Sequence, residues 1–396
     1  MFETLKKIYY KYPQKYEYTY KSRFDNELSV KLVFTHHKYP LFYLPIEEIN
    51  KLLFEIMIFD KNISELKSEL PLISIKQFKR KCLIDEIMQT NSIEGVNSTR
   101  KEIKEAYDEP LSTNKKFHGI VSKYNKLTEN EINIFTNQDI RKIFDDIVSN
   151  EIKSDDETSL PDGLIYRKES VSIISSSNKE IHRGLNPEKK IINAMDEALN
   201  VLNNNEINPL IRVSIFHYLL GYIHPFYDGN GRVSRFISSY YFSKTLNELI
   251  GYRLSYTIKN RIKDYYNSFE NANDDINRGE LTHFILNFLS ILKESMENLN
   301  SALNERSIKL NYFKELLMKN NNIEEKTKSI IYLLIQAELF SEDGITINEL
   351  KSNSDIGLGT IKNRINVIEG LGILKVDKLG RVNHYGIDLE KLVPLI

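Results

Sequence analysis

The densest chemistry in the chain lies in HPFYDGNGRVSR, residues 224–235. One imidazole (His224), one carboxylate (Asp228), two guanidiniums (Arg232, Arg235) and the triplet Gly229, Asn230, Gly231 share this short segment. Its flanks, LIRVSIFHYLLGYI and VSRFISSYYFSKTL, have helical spacing and not strand alternation, so a corner between two helices is expected. Pro225 discourages the first helix from running through His224. The glycines let consecutive N–H groups converge on one point, and the positive end of the next helix adds attraction for an anion. Arg232 and Arg235 are three apart on one face of that helix, within reach of phosphate oxygens. A carboxylate beside bound phosphates is the usual way to hold Mg²⁺, which assigns Asp228 that role. His224 can take a proton from an incoming hydroxyl. A polyphosphate, one Mg²⁺ and a base together suit transfer of a phosphorus-centred group.

Other sites that use such residues fail on position. With Asp228 as the third residue of an EF-hand loop, positions one and twelve would be Phe226 and Ile237, which offer no side-chain oxygen. The chain has no GKS or GKT, so a Walker A loop is absent. Gly229 and Gly231 follow a helical pattern and not a strand, which excludes a dinucleotide fingerprint.

The elements that must hold this segment are mostly helical. Residues 1 to about 45 read as short strands in YEYTY and SVKLVF. IEEINKLLFEIMIFDKNISELKSEL and IKQFKRKCLIDEIMQTNSIEG then read as helices, the second ending at Gly95 as a C-cap. Residues 112–130 read as a polar connector, NQDIRKIFDDIVSN as a helix, and residues 164–183 as a β-hairpin after the Asp162-Gly163 turn. NPEKKIINAMDEALNVLNNN and NPLIRVSIFHYLLGYI both open on Asn-Pro, an N-cap and first-turn pair. Further helices are expected to about residue 320. The last 70 residues or so order a helix, a short strand, two helices and a hairpin, the pattern of a winged helix-turn-helix.

Bulk properties narrow the class. Lys+Arg 54 against Asp+Glu 55 leaves no global basic field to attract nucleic acid. The single cysteine, Cys82, has no internal disulfide partner and sits in an apolar helix without an activating neighbour, which points to a reducing compartment. MFETLKKIYYKYPQKYEYTY lacks the apolar stretch of a signal peptide, and no apolar run is long enough for a membrane span; a cytoplasmic protein is the expectation.

The central segment resembles the Fic (Fic/DOC) family, whose signature is HxFx(D/E)GNGRxxR. Every specified position is met, by His224, Phe226, Asp228, Gly229, Asn230, Gly231, Arg232 and Arg235. The resemblance spans about residues 130–300 and implies a mainly α fold with a β-hairpin flap. It implies transfer of AMP from ATP to a Ser, Thr or Tyr hydroxyl of a protein, with self-modification. Carried over, His224 is the general base, Phe226 anchors the loop and Asp228 binds Mg²⁺. Gly229, Asn230 and Gly231 cradle phosphates, while Arg232 and Arg235 hold the β/γ end. The 164–183 flap would dock a target segment by strand pairing.

TNSIEG, residues 90–95, is similar to the inhibitory-helix pattern (S/T)xxxE(G/N) of many such proteins, through Thr90, Glu94 and Gly95. The resemblance implies that Glu94 pairs with Arg235 and displaces the γ-phosphate, so that ATP binds unproductively. In some relatives the corresponding glutamate serves removal of AMP, and the sequence leaves both directions open. A non-enzymatic nucleotide-sensing regulator acting through the winged helix, and diphosphate donors other than ATP, also stay open.

The implied organisation is an N-terminal extension with the inhibitory helix (1–110), a catalytic core (111–300), a linker helix (301–326) and the winged helix (327–396). Lys362 and Arg364 on its recognition helix, with Lys375, Lys378 and Arg381 on its wing, could meet DNA phosphates. Yet this region carries eight basic against nine acidic residues, which suits a protein partner as well as DNA; self-association is left open. His217, seven residues before His224, reads as packed core and not as a metal ligand. Tyr265 and Tyr266 are candidates for self-modification.

Overall fold

A computed structural model describes residues 2–108, 116–127, 131–174, 180–379 and 382–396. Contacts divide the chain into two compact units, Met1–Asp60 with Leu83–Glu297, and Lys61–Cys82 with Asn298–Ile396.

The first unit opens with helices α1 (Leu5–Lys11) and α2 (Pro13–Phe24) and a hairpin of β1 (Val30–His36) and β2 (Tyr39–Tyr43). The YEYTY strand expected from alternation is part of α2. Pro13 pre-sets the first turn, and Tyr16, Tyr20 and Phe24, four apart, line one face, where Arg278 covers the Tyr16 and Tyr20 rings. Helices α3 (Glu47–Glu69) and α4 (Leu72–Ile93) follow, then α5 (Arg100–Asp108) and α6 (His118–Asn125). The second of these replaces part of the expected connector, because Ile120, Val121 and Tyr124 bury one face. Residues 112–115 and 128–130 lie outside the described residues.

Helices α7 (Asn137–Phe144) and α8 (Asn150–Asp155) are joined by a π-helical turn, Asp145–Ser149. The expected hairpin is shorter than its alternation suggested. Only β3 (Ser172–Ile174) and β4 (Glu180–Arg183) pair, and residues 175–179 are outside the described set. Residues 164–166 are instead held by Glu188, whose carboxylate accepts the N–H groups of Leu164, Ile165 and Tyr166.

Helices α9 (Glu188–Leu202), α10 (Pro209–Ile223) and α11 (Asn230–Thr245) form the heart of the unit, with α10 packed on both others. The run PLIRVSIFHYLLGYI is apolar nearly all round, and almost all of α10 is accordingly buried. Its Asn208 caps as expected, accepting from Leu210 N–H at 2.9 Å. The other Asn-Pro pair does not cap α9: Pro187 occupies the cap position, and Asn186 donates to the Lys168 carbonyl. Helices α12 (Leu254–Asn260), α13 (Ile262–Asn273) and α14 (Thr282–Lys319) complete the succession.

The second unit takes in the C-terminal part of α3, the first half of α4, the C-terminal part of α14, α15 (Glu325–Phe340), β5 (Ile345–Thr346), α16 (Ile347–Ser352), α17 (Leu358–Gly370), β6 (Leu374–Leu379), β7 (Val382–Ile387) and α18 (Leu389–Leu392). The strands form one antiparallel sheet in the order β5-β7-β6. Thr346 and Glu349 make a reciprocal capping box on α16. Arg364 pairs with Glu324 and Lys375 with Glu338, both at 2.7 Å, while Arg381 lies outside the described residues. Among the described residues no helix is long and apolar enough to cross a membrane.

Candidate active site

The corner expected at residues 224–235 joins α10 to α11. His224 closes α10 with a left-handed backbone, φ 52°, and Gly229, φ 82°, occupies the cap position of α11. The glycine has two reasons to be there. Its positive φ suits a residue without Cβ, and a Cβ would come within 2.8 Å of Val148 Cγ2.

Phe226 pins the loop from below. It is fully buried, stacked on Phe144 at 4.1 Å and edge-on to Tyr166. Asn230 closes the loop from within: its amide accepts from Phe226 N–H and donates to the Phe226 carbonyl, both at 2.9 Å. That side chain is therefore committed to the backbone, and what Asn230 retains for an anion is its N–H at the start of α11.

The two guanidiniums are both buried but face different partners. Arg232 donates to Glu151 Oε2 at 2.6 Å and reaches Asp228 Oδ2 at 3.3 Å. Burial raises the Glu151 pKa, while the guanidinium opposes that rise. Arg235 donates through Nε to Thr90 Oγ1 at 2.8 Å and through Nη2 to the Thr90 carbonyl at 3.0 Å. Its Nη1 pairs with Glu94 Oε1 at 2.8 Å. So Thr90 and Glu94, 145 and 141 positions upstream in the chain, meet the last arginine of the loop. Gly95 ends that segment with φ 74°, as a C-cap requires.

The Glu94 carboxylate lies over the first turn of α11. A Cβ added at Gly231 would overlap Glu94 Oε1, so the glycine makes room for the acid. An anion at a helix N-terminus is favourably placed, and here the chain supplies its own.

A cavity of about 380 Å³ opens beside this arrangement. Glu94, His224, Asn230, Gly231 and Arg235 contribute to its wall, and Tyr265, Tyr266 and Phe269 make its apolar side. Asp228, Gly229 and Arg232 do not line it. Asp228 is about half exposed and accepts from Gly229 N–H. It keeps oxygen lone pairs that fit a hard cation such as Mg²⁺.

Burial, reinforced by the charge of Arg167, lowers the His224 pKa to about 4. The imidazole is neutral at pH 7, the form able to accept a proton. His217 is a satisfied core histidine. Its Nδ1 meets the Ser234 and Ser238 hydroxyls and its Nε2 the Tyr265 hydroxyl at 2.8 Å, and burial lowers its pKa to about 3. Tyr265 is thereby removed as a self-modification candidate: its hydroxyl is buried and engaged. Tyr266 stays exposed at the cavity.

Arg167 escaped the sequence reading. Fully buried, it donates Nε to the His224 carbonyl at 2.9 Å, Nη2 to the Leu185 carbonyl at 2.8 Å and Nη1 to the Glu169 carbonyl. It fastens the base of the β3–β4 hairpin to the residue that carries the imidazole. Gly184 fits beneath it, where a Cβ would overlap the guanidinium. In the sequence it is only the first of two adjacent basic residues, Arg167 and Lys168, in an otherwise alternating stretch.

The family model described as Fic/DOC matches residues 134–242. A Fic family protein of Desulfovibrio desulfuricans G20 superposes with a TM-score of 0.51 at 17% identity, over 88% of this chain and 98% of its own. That likeness concerns the fold. Fic-1 from C. elegans gives 0.46 at 16% identity over 65% and 74% of the two chains. A Fic domain containing signaling protein of Bacteroides thetaiotaomicron VPI-5482 gives 0.45 at 17% over 63% and 97%.

Proposed function

We propose, from the premise that residues 134–242 form a Fic/DOC family domain, that the protein is a self-inhibited adenylyltransferase moving AMP from ATP to a protein hydroxyl. The observation that carries this reading is the assembly at one helix corner: a neutral His224, the free N–H groups opening α11, and Arg235 held by Glu94.

His224 Nδ1 is buried, which leaves Nε2 to take the proton of the attacking hydroxyl. The N–H groups at Asn230 and Gly231 receive phosphate oxygens at the positive end of α11. Asp228 would hold Mg²⁺, which when bound neutralises charge on the triphosphate. Arg235 binds the distal phosphates once Glu94 withdraws, leaving pyrophosphate in place to depart as the hydroxyl attacks the α-phosphorus. Arg232, held between Glu151 and Asp228, orients the Asp228 carboxylate. The β3–β4 hairpin is tied to His224 through Arg167, so a target strand paired with it brings its hydroxyl toward the imidazole.

In the resting state Glu94 occupies the guanidinium that the γ-phosphate needs, which is the basis of self-inhibition. In the second unit, the pairing of Arg364 on α17 and Lys375 on β6 with glutamates of the same unit favours a protein partner over DNA for the winged-helix region. Incubation with α-labelled ATP and Mg²⁺ tests the whole. Label on protein should rise in Glu94→Gly and vanish in His224→Ala; nucleotide binding without any label would point to a sensor.

A further inference from the structure

Three ligand-bearing side chains meet away from the nucleotide cavity. His36, His37 and Asp275 each offer one ligand atom, and the three atoms lie within 4.8 Å of one another. The first two come from the turn of the β1–β2 hairpin. The third comes from the 3₁₀ turn Asp275–Asn277 that follows α13.

Adjacent residues of a strand point to opposite faces, so His36 and His37 would ordinarily diverge. A left-handed backbone at His37, φ 52°, instead brings its ring within 4.4 Å of the His36 ring. The turn with Asp275 is held firmly. Lys6 N–H donates to Asn277, and the Tyr16 hydroxyl donates to the Ile276 carbonyl at 2.6 Å. The preceding Asp274 caps the turn by accepting from Ile276 N–H.

His36 supplies the independent sign of a missing ligand. It is fully buried, yet neither Nδ1 nor Nε2 has a hydrogen-bond partner. A buried imidazole without a partner forfeits the hydration of its N–H and its lone pair, and such a group calls for an unseen ion or water. His37 and Asp275 sit at the open side, with side chains 54% and 58% exposed. His37 Nδ1 and Asp275 Oδ1 stand 3.4 Å apart, long for a charge-assisted hydrogen bond. Two ligands each about 2.0–2.1 Å from a tetrahedral zinc ion are separated by nearly that span, roughly 3.3 Å.

We propose that His36, His37 and Asp275 form a site for a divalent transition-metal ion, Zn²⁺ by preference. Two imidazoles and one carboxylate favour zinc over Mg²⁺ or Ca²⁺, which prefer all-oxygen shells. Three protein ligands leave a fourth position to water. The three ligand atoms lie within 4.8 Å of one another, and the two exposed ligands, His37 and Asp275, are the ones free to adjust around an ion. The ion cross-links the hairpin turn to the end of α13, the helix whose Tyr265, Tyr266 and Phe269 line the nucleotide cavity. Tyr222, two residues before His224, packs against the His36 ring at 4.7 Å, so the tie also lies behind the catalytic corner.

The test uses the full chain stripped with a chelator and titrated with Zn²⁺ against a chromophoric competitor. The wild type should take up one ion per chain and melt at a higher temperature with Zn²⁺ than without. His37→Ala and Asp275→Ala, both at exposed positions, should each weaken binding at least about tenfold and lose the shift in melting. Their metal-free melting temperatures should match the metal-free wild type. Co²⁺ in the wild type should show the intense visible bands of a four-coordinate nitrogen-ligated ion. Equal Zn²⁺ affinity in wild type and both variants, or a Co²⁺ spectrum like that of the hydrated ion, overturns the proposal.

Discussion

Replacing Glu94 by Gly should release the enzyme, and the size of the release follows from the contacts of Arg235. That guanidinium is buried and makes three interactions: two with Thr90 and one, at 2.8 Å, with Glu94. The substitution removes only the last, so Thr90 keeps the arginine in place. A hydrogen bond to a charged group is worth about 1.5–3 kcal/mol, which is the cost ATP must meet to seat its γ-phosphate on Arg235. At roughly 1.4 kcal/mol per decade, Glu94→Gly should raise the initial rate of labelling from α-labelled ATP about 10- to 100-fold. Glu94→Gln keeps the side-chain shape without its charge and should give an intermediate gain. Thr90 also secures the fold, so both variants should melt close to the wild type. Unchanged labelling in a folded Glu94→Gly protein that still binds ATP would refute the inhibitory role of the pair.

Arg167→Met would strip three carbonyls of a buried donor, and a loss of about 2–4 kcal/mol is expected in urea denaturation. Labelling in the Glu94→Gly background should fall more than about tenfold while ATP affinity holds, because Arg167 positions His224 and does not face the nucleotide. Stability should also fall with acid. An unfolded histidine binds a proton below about pH 6.5, whereas folded His224 does so only near pH 4 and His217 near pH 3. Their stabilisation is complete above pH 6.5 and is lost as the pH falls toward those values, with about 3 kcal/mol from His224 alone. Urea midpoints at pH 7, 5.5 and 4.5 measure this, and His224→Asn should flatten its share. An acid limb of the labelling rate centred near pH 6.5 would contradict the lowered His224 pKa.

Much of the corner was legible because its residues are adjacent in sequence. Pro225, the Gly-Asn-Gly triplet and the two apolar flanks dictate a helix–loop–helix, and α10 and α11 form on either side. The meeting of Glu94 and Thr90 with Arg235 was reached only through the family pattern, since nothing local predicts a contact across so many residues. Four things were hidden for physical reasons. The alternating tyrosines of residues 16–20 fit a helix face as well as a strand face, and Pro13 decided between them. The opposed orientations of Arg232 and Arg235 depend on Glu151 and Glu94, acids from other helices or their ends. Arg167 acts through backbone carbonyls, which leave no trace in side-chain identity. The His36–His37 pair was visible as letters, but its third member, Asp275, is brought alongside only by the fold.

The central claim is that this corner moves an adenylate, and doubly labelled ATP tests it most directly. With Glu94→Gly, Mg²⁺ and ATP labelled at both the α- and γ-phosphates, the account predicts α-label on protein, none of the γ-label, and neither in Glu94→Gly/His224→Ala. Retention of the γ-label on protein, or α-labelling that survives loss of His224, would contradict it.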